Sequence, residues 1–252
     1  MLTLKAHGRS ELGLHREGNE DSALLSPTLC AVADGLGGHA AGEVASRFAI
    51  STLAALLQEK KLSAARMSKQ VREVDKGLAT LIEGDNKYGG MGTTLTAIAL
   101  IGSTLQVAHI GDSRAYLYRD GKLEQITKDH TMIQELIDRR ELTPAGAKEH
   151  PKRALLTQAL MGQKKAQPDV MSIDIASGDR LLLCSDGLSN VVNVAQMSSA
   201  LEQLSIENAV DTLIALTYAA GAPDNVTVLV ADVISEKNSE KPTFLGAAVD
   251  IS

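Results

Sequence analysis

The chain has 252 residues, of which 44% are hydrophobic and 22% charged, a composition typical of a folded globular protein. Its formal net charge is −6, and only 2% of its residues are aromatic. Both values disfavour a protein that binds the phosphate backbone of nucleic acid or stacks on its bases. No apolar run approaches the roughly 18 residues needed to span a bilayer, and the start does not resemble a signal peptide. We therefore expect a soluble, cytoplasmic protein with no nucleic-acid partner and no membrane segment in this chain.

The predicted elements alternate between groups of strands and pairs of helices. Apolar content and periodicity predict, in chain order, strands at 22–25 and 29–33, helices at 42–58 and 64–82, strands at 93–101, 105–110 and 115–119, a strand pair at 170–175 and 180–184, helices at 195–204 and 206–220, and a strand at 226–233. Residues 128–167 are polar, contain two prolines and predict a surface insertion with a short helix near 132–139.

The short connections between successive strands require antiparallel pairing. Two antiparallel sheets packed together, each covered by a helix pair on its outer face, satisfy the order of the elements. We therefore predict an α+β fold, a four-layer αββα sandwich with the insertion at 128–167, forming a single domain over residues 1–234. The polar composition that begins at Ser235 predicts a disordered tail over 235–252.

Four short apolar runs each carry an aspartate at one end. Asp34 and Asp186 are each followed by glycine, Asp112 is preceded by glycine, and Asp224 is followed by asparagine. Carboxylates at the ends of buried strands are costly unless a positive charge meets them. Arg114 is the only basic residue close to these four sites in sequence. The pattern therefore indicates divalent metal ions, and the oxygen ligands suit Mn²⁺ or Mg²⁺.

Two further segments allow more than one interpretation. Glycines 35 and 37 with Ala40 match the spacing of a dinucleotide-binding loop, but a second long helix follows where that motif requires a strand. Asp34 would also repel a pyrophosphate. Residues 16–21, Arg-Glu-Gly-Asn-Glu-Asp, form either a surface salt-bridge patch or, beside a carboxylate centre, a phosphate-binding arginine with acids that bind metal-bound water.

Seven motifs in one order connect these features to a known family. They are Arg16-x-x-Asn19-Glu20-Asp21, Asp34-Gly35-x-Gly37-Gly38-His39-x-x-Gly42-Glu43, Gly92-Thr93-Thr94, Gly111-Asp112-Ser113-Arg114-x-Tyr116, Asp129-His130-Thr131, Ser185-Asp186-Gly187-Leu188 and Asp224-Asn225-Val226-Thr227-Val228. Together they span residues 16 to 228. The chain resembles the metal-dependent serine/threonine protein phosphatase family, the type 2C class, in its bacterial form. The resemblance also implies an αββα sandwich, with 128–167 as the flap that borders the active site.

The resemblance assigns metal ligands by position. It implies that Asp34 bridges two Mn²⁺ or Mg²⁺ ions and that the Gly35 carbonyl binds one of them. Asp186 and Asp224 would complete the shell of the first ion. Asp112 would hold a third ion together with Asp186, so that two or three ions are expected.

The resemblance also implies roles around the metal ions. Arg16 would bind the substrate phosphate, Glu20 and Asp21 would orient metal-bound water, and Asn225 would steady the site. Many eukaryotic members have a histidine in the place of Leu36, proposed as the general acid for the leaving group. Here that role would fall to His39 or to metal-bound water, the alternative being that His39 only orders its loop.

Three other residues of these motifs and strands are expected to be structural. His109 lies inside a predicted strand and is expected to be a hydrogen-bonded core histidine. His130 is expected to support the flap, and Arg114 to pair with nearby carboxylates. Gln158 stands where family members often have arginine, which puts contacts of the flap in doubt but not catalysis.

The expected function is metal-dependent hydrolysis of phosphoserine and phosphothreonine in proteins by a metal-activated water. The enzyme would reverse a bacterial Ser/Thr kinase, and its partners would be phosphorylated proteins, including that kinase. The alternative is a non-catalytic phosphoprotein-binding regulator of the same fold, marked by loss of a metal carboxylate, although all four are present. Residues 242–248 resemble the junction that follows the catalytic domain in membrane-anchored actinobacterial members, so an anchor in a longer protein stays open.

Overall fold

The computed structural model describes residues 1–37, 41–59, 62–143, 146, 150–152 and 154–251. Its strands are β1 (Thr3–Glu11), β2 (Asp21–Leu25), β3 (Leu29–Leu36), β4 (Gly92–Thr93), β5 (Leu95–Ile101), β6 (Thr104–Ile110), β7 (Arg114–Arg119), β8 (Lys122–Gln125), β9 (Asp169–Asp174), β10 (Arg180–Cys184), β11 (Val226–Ile234) and β12 (Thr243–Gly246). Its helices are α1 (Ala41–Ala54), α2 (Ala64–Gly84), α3 (Met132–Asp138), α4 (Asp186–Ser189), α5 (Val194–Leu201) and α6 (Ile206–Ala219), with 3₁₀ turns at Ala55–Gln58 and Asn86–Tyr88.

The strands form two antiparallel sheets. One has the order β1-β11-β10-β7-β8, and the other has the order β12-β2-β3-β5-β6-β9, with β4 paired to β3. Helices α1 and α2 pack on the second sheet, and α5 and α6 pack on the first. The predicted αββα sandwich is confirmed.

Strands buried on both faces explain the continuous apolar runs in the sequence. Successive side chains of a strand point to opposite faces of its sheet. In β10, Leu181 and Leu183 pack between the two sheets, whereas Leu182 and Cys184 pack against the helices α4 to α6. Because both faces are covered, neither set can be polar, and the run is apolar throughout.

The flap begins and ends on the body of the fold. Thr131 forms a bridge with Leu156, and the side chain of Thr131 caps the N-terminus of α3 by accepting a hydrogen bond from the Gln134 amide. Leu160 forms a second bridge, to Thr93 of β4. The short helix predicted near 132–139 is confirmed, and these bridges hold the base of the flap beside β4.

A buried aspartate of α2 fastens the chain where it leaves the flap. One carboxylate oxygen of Asp75 accepts the amides of Met161 and Gly162, at 3.2 and 2.8 Å. The other accepts the amides of Lys165 and Ala166, at 3.0 and 3.3 Å. Four backbone donors on one carboxylate compensate its burial and fix residues 161–166 against α2.

The prediction of a disordered tail is wrong for its second half. Strand β12 pairs antiparallel with β2, with Gly246 opposite Ser22. The amide of Ala247 donates to the carbonyl oxygen of Asp21 at 2.8 Å, and Ala248 is fully buried. The edge of β2 presents unpaired backbone groups that a short segment can satisfy. No local pattern reveals this pairing, because its partner lies more than 200 residues earlier. Within the described ranges, no helix is long and apolar enough to cross a membrane.

Gly246 provides a test of tail docking. It has a φ of +63°, and an added Cβ would overlap the carbonyl oxygen of Asp21. Gly121, in the turn between β7 and β8, has a φ of +74° but open space around it. We expect Gly121→Ala to cost about 1 kcal/mol of unfolding free energy and Gly246→Ala about 1 kcal/mol more, because only the latter also clashes.

The measurement is urea unfolding of both variants, with limited proteolysis of the tail as a second readout. Gly246→Ala should also expose the segment 235–251 to protease. An unfolding free energy for Gly246→Ala equal to or above that of the parent protein would contradict docking of β12.

Candidate active site

The first two acids of the site lie side by side on neighbouring strands. Asp21 begins β2 and pairs directly with Asp34 near the end of β3. The main chain of Asp34 is held from the other side: its amide donates to the Thr94 hydroxyl at 2.9 Å, and its carbonyl oxygen accepts the Thr93 hydroxyl at 2.9 Å. The two threonines therefore fix the position from which the Asp34 carboxylate projects.

The glycine after Asp34 permits a close crossing of three chain segments. The Gly35 amide donates to the carbonyl oxygen of Glu20 at 3.1 Å. An added Cβ on Gly35 would overlap the carbonyl oxygen of Gly42 at the start of α1. Only glycine fits this crossing, which places Asp34, Glu20 and the N-terminus of α1 next to one another.

Asp112 and Asp186 approach from the other strands. Asp112 follows β6 after Gly111, whose φ of +110° turns the chain. Asp186 is the first residue of α4, directly after β10, and its carboxylate accepts the Asn190 side-chain amide at 3.0 Å. Both aspartates lie close enough to Asp34 for their charges to raise its pKa.

The last acid, Asp224, is paired with Arg16. The Arg16 guanidinium donates to one carboxylate oxygen of Asp224 at 2.8 Å, and its side chain keeps 46% of its surface exposed. The other oxygen of Asp224 accepts the amide of Asn225. Arg16 therefore stands at the open side of the carboxylates.

Asn225 ties the loop between β1 and β2 to the start of β11. Its side-chain oxygen accepts the Glu20 amide at 3.0 Å. Its side-chain amide donates to the carbonyl oxygens of Leu12 and Gly18, at 2.9 and 3.0 Å. One side chain thus holds the loop that carries Arg16 and Glu20.

The acids disturb one another because they are buried together. Burial, and then repulsion from neighbouring carboxylates, raises the pKa of Asp112 to about 7 and that of Asp34 well above its usual range. Burial also raises the pKa of Asp21 to about 7, against hydrogen bonds that lower it. The pKa of Asp186 rises through burial and repulsion from Asp224. Together these aspartates bring more negative charge to the site than the neighbouring protein groups neutralise.

Within the part of the chain that the structure describes, one carboxylate oxygen of Asp21 has no hydrogen-bond partner. Asp21 is 1% exposed; its Oδ2 accepts the Ser185 hydroxyl at 2.7 Å, whereas Oδ1 is buried with no hydrogen bond to any described residue. A buried carboxylate oxygen of this kind calls for a cation or a water held by one. Carboxylate oxygens are also the ligands that Mn²⁺ and Mg²⁺ prefer, so the residues present fit divalent ions.

The carboxylates are gathered but not arranged as a closed ion site. Among the described residues, no three His, Cys, Asp or Glu side chains already enclose one position for a metal. Arg16, for example, occupies one oxygen of Asp224.

Arg114 is the cation nearest to the Asp112 side of the site. It forms a two-pronged pair with Asp129, with contacts of 2.9 and 2.6 Å, and approaches the Tyr116 hydroxyl. Its charge offsets part of the pKa rise that burial causes at Asp112 and Asp186. The prediction that Arg114 pairs with a nearby carboxylate is confirmed.

His109 and His130 have the structural roles that the sequence predicts for them. His109 bonds to the Thr96 hydroxyl and the Lys128 carbonyl oxygen, and burial lowers its pKa to about 4. His130 stacks on His109 with ring centroids 5.0 Å apart and accepts a hydrogen bond from a backbone amide. His39 lies outside the described residues.

Several polar side chains of the motifs support the acids, and the sequence does not reveal these roles. The Ser185 hydroxyl donates to Asp21 and accepts the Thr227 amide. The Thr94 hydroxyl bonds to that of Ser113. Asn190, which holds Asp186, lay outside the motifs, although its position four residues after an aspartate on a helix is a readable signal.

Known proteins share this sequence and fold. The family model "Protein phosphatase 2C" matches residues 22–212. The serine/threonine protein phosphatase PstP of Mycobacterium tuberculosis is 44% identical over 250 residues, which cover 98% of this chain and 48% of PstP. This chain thus spans about half the length of PstP.

Two further known proteins align with this chain over almost their whole length. The serine/threonine phosphatase stp of Listeria welshimeri is 34% identical over 242 residues, or 91% of this chain and 96% of stp. The crystal structure of the PstP catalytic domain with two manganese ions aligns at a TM-score of 0.88 and 44% identity, covering 93% of this chain and all of that one. The fold, the cluster of carboxylates and these matches agree with one another. This chain belongs to the protein phosphatase 2C family.

Proposed function

We propose that this chain hydrolyses phosphoserine and phosphothreonine in proteins with the help of Mn²⁺ or Mg²⁺. The observation that carries the proposal is the cluster of buried carboxylates whose pKa values are raised by burial and mutual repulsion, and one of whose oxygens, Asp21 Oδ1, has no hydrogen-bond partner among the described residues. An arginine stands at the exposed side of this cluster. The relatives named as Ser/Thr phosphatases support the same reaction.

The proposed metal ligands are the strand-end acids. Asp34 is central, because it pairs with Asp21 of β2 and its pKa is raised by the charges of Asp186, Asp112 and Asp224. Asp224 and the Gly35 carbonyl complete this group, and Asp112 with Asp186 forms its second side. Two or three divalent ions held here would activate water as the nucleophile and offset the charge of the phosphate.

Arg16 is proposed to bind the substrate phosphate. Its guanidinium is half exposed and uses one nitrogen on Asp224. A planar guanidinium can hold two phosphate oxygens at once, and its site beside Asp224 places that phosphate next to the carboxylate cluster. Glu20 and Asp21 are proposed to orient water, since the buried Oδ1 of Asp21 accepts no hydrogen bond from the described residues.

The proton for the leaving group has no assigned donor among the described residues. His39 stays the candidate from the sequence, with ordering of its own loop as the alternative. The proposed substrates are phosphorylated proteins, including a Ser/Thr kinase whose action this enzyme would reverse in the cytoplasm. No nucleic-acid partner is proposed, in keeping with the net charge of −6.

The alternative is a regulator that binds phosphoproteins without turning them over. Loss of a carboxylate from the cluster would favour it, but Asp34, Asp112, Asp186 and Asp224 are all present. The cluster also has its supporting bonds from Thr93, Asn190 and other polar groups in place. Catalysis therefore explains more of the site than binding alone.

Replacing Asp186 tests the proposed reaction. Asp186→Asn removes one negative charge shared by both sides of the cluster, so we expect turnover of a phosphothreonine peptide with Mn²⁺ to fall roughly 100-fold or more. EDTA should abolish turnover by the parent protein. The measurement is release of inorganic phosphate under the three conditions.

The matched control is Asp211→Asn. Asp211 is an exposed aspartate that pairs with Arg9 on the surface, so its loss should leave turnover within about twofold of the parent. Turnover that survives both EDTA and Asp186→Asn would refute the metal mechanism. Phosphopeptide binding without turnover in any condition would favour the regulator.

The pKa of Asp21 predicts how metal-free stability depends on pH. The folded protein holds a proton on Asp21 up to about pH 7, whereas the unfolded chain releases it near 3.8. Unfolding is therefore favoured increasingly as the pH rises from 4 through 7. In EDTA, Asp21→Asn should be more stable than the parent, with a gain roughly 2–3 kcal/mol larger at pH 8 than at pH 5.

The measurement is urea unfolding at both pH values, with and without Mn²⁺. Added Mn²⁺ should stabilise the parent more than Asp21→Asn, because the variant lacks a charge that favours the cation. The control, Asp174→Asn, changes an exposed carboxylate of β9 and should show neither effect. Equal stability of parent and Asp21→Asn at pH 8 in EDTA would contradict the buried, uncompensated charge.

A further inference from the structure

A buried carboxylate in the middle of α2 fixes the segment through which the chain leaves the flap. Asp75 is 2% exposed. Each of its oxygens accepts two backbone amides, and the four donors are Met161, Gly162, Lys165 and Ala166. A short segment that directs several amides at one anion is held in a single conformation by it. The shape of this exit segment, residues 161–166, therefore depends on the Asp75 carboxylate.

The start of the exit segment is packed closely between α2 and β4. Gly162 has a φ of +68°, and an added Cβ there would lie 2.7 Å from the backbone nitrogen of Ala79 on α2. On the other side, an added Cβ on Gly92 of β4 would lie 2.9 Å from the carbonyl oxygen of Leu160. Neither contact leaves space for a shift, so a displacement of the segment at α2 also displaces β4.

Two peptide units carry this contact from Asp75 to Asp34. The unit that joins Leu160 to Met161 donates its amide to Asp75 at 3.2 Å, and its carbonyl oxygen accepts the Thr93 amide at 2.9 Å. The unit that joins Thr93 to Thr94 accepts the Leu160 amide and donates its own amide to the carbonyl oxygen of Asp34, both at 2.9 Å.

The hydroxyl of Thr93 reinforces the second of these links. It donates to the same carbonyl oxygen of Asp34 at 2.9 Å. Because peptide units are planar and rigid, a fixed exit segment fixes the main chain of Asp34 from this side. The direction of the Asp34 carboxylate follows from that main chain.

We propose that Asp75 is a positioning residue for Asp34. It acts through the exit segment and β4 and touches neither metal nor substrate. The proposal rests on the proposed function, in which Asp34 is the ligand shared by two ions. The affinity for Mn²⁺ then depends on a carboxylate in the middle of α2, and a bound ion in return stabilises the exit segment, because coupling between two sites is reciprocal.

The first test is Mn²⁺ binding by Asp75→Asn, measured by isothermal titration calorimetry. Whichever way the asparagine side chain is oriented, its amide group faces two backbone amides that need an acceptor. We expect the dissociation constant for Mn²⁺ to rise about 5-fold. The matched control is Glu83→Gln, which removes an exposed ion pair between the same helix and Lys164 of the same segment. It should leave the dissociation constant within about twofold of the parent value.

Two readouts separate positioning from a purely structural role. Urea unfolding gives the stability of each variant, and binding is measured where the variant is folded. A lower unfolding free energy of Asp75→Asn with an unchanged dissociation constant for Mn²⁺ would overturn the proposal. In the hydrolysis of p-nitrophenyl phosphate, Asp75→Asn should need about 5-fold more Mn²⁺ for half-maximal activity, with KM for the substrate within about twofold of the parent value.

Hydrogen exchange of the parent protein tests the same coupling, and it decides the proposal if Asp75→Asn does not fold. Mn²⁺ should slow exchange of the amides of residues 160–166 about 5-fold. The turn 176–179, at the end of β10 away from Asp186, should exchange at an unchanged rate. Bound Mn²⁺ without slower exchange at 160–166 would overturn the role of Asp75 alone. A parent that binds no Mn²⁺ would instead refute the proposed function.

Discussion

Repulsion among buried carboxylates is the constraint on which this structure depends. The antiparallel pairing of β2 with β3 places Asp21 beside Asp34, and the ends of β6, β10 and β11 add three further aspartates. Burial and this proximity raise the pKa values of the group. A fold that only needed stability would not collect these charges. A bound cation would offset the repulsion among these carboxylates. The match to a phosphatase structure that holds two manganese ions agrees with this interpretation.

Uncharged side chains and their hydrogen bonds position the acids of the site. Thr93 and Thr94 hold the main chain of Asp34, Asn225 holds the loop that carries Arg16, and Ser185 supports Asp21. These bonds orient the acids without neutralising them. The carboxylate charge therefore stays available to a metal, while the strands and the buried core between the sheets supply rigidity.

The flap and the tail both attach close to the carboxylate cluster. The base of the flap is fixed by the bridge of Leu160 to Thr93 and by Asp75, and Thr93 in turn bonds to Asp34. The tail bonds to the carbonyl of Asp21 through Ala247. Segments distant in sequence thus meet the two central acids.

Local patterns in the sequence are sufficient to predict the sandwich and the aspartates at the strand ends. Strand runs apolar on both faces, helices of regular period and aspartates at strand ends are local patterns, and their order admits few packings. Which of these groups come into contact depends on how the whole chain packs. The pairing of β12 with β2, the hold of Asp75 on residues 161–166 and the contact of Arg16 with Asp224 join positions far apart in the chain. Such contacts depend on register and burial across the whole fold, which no local pattern encodes.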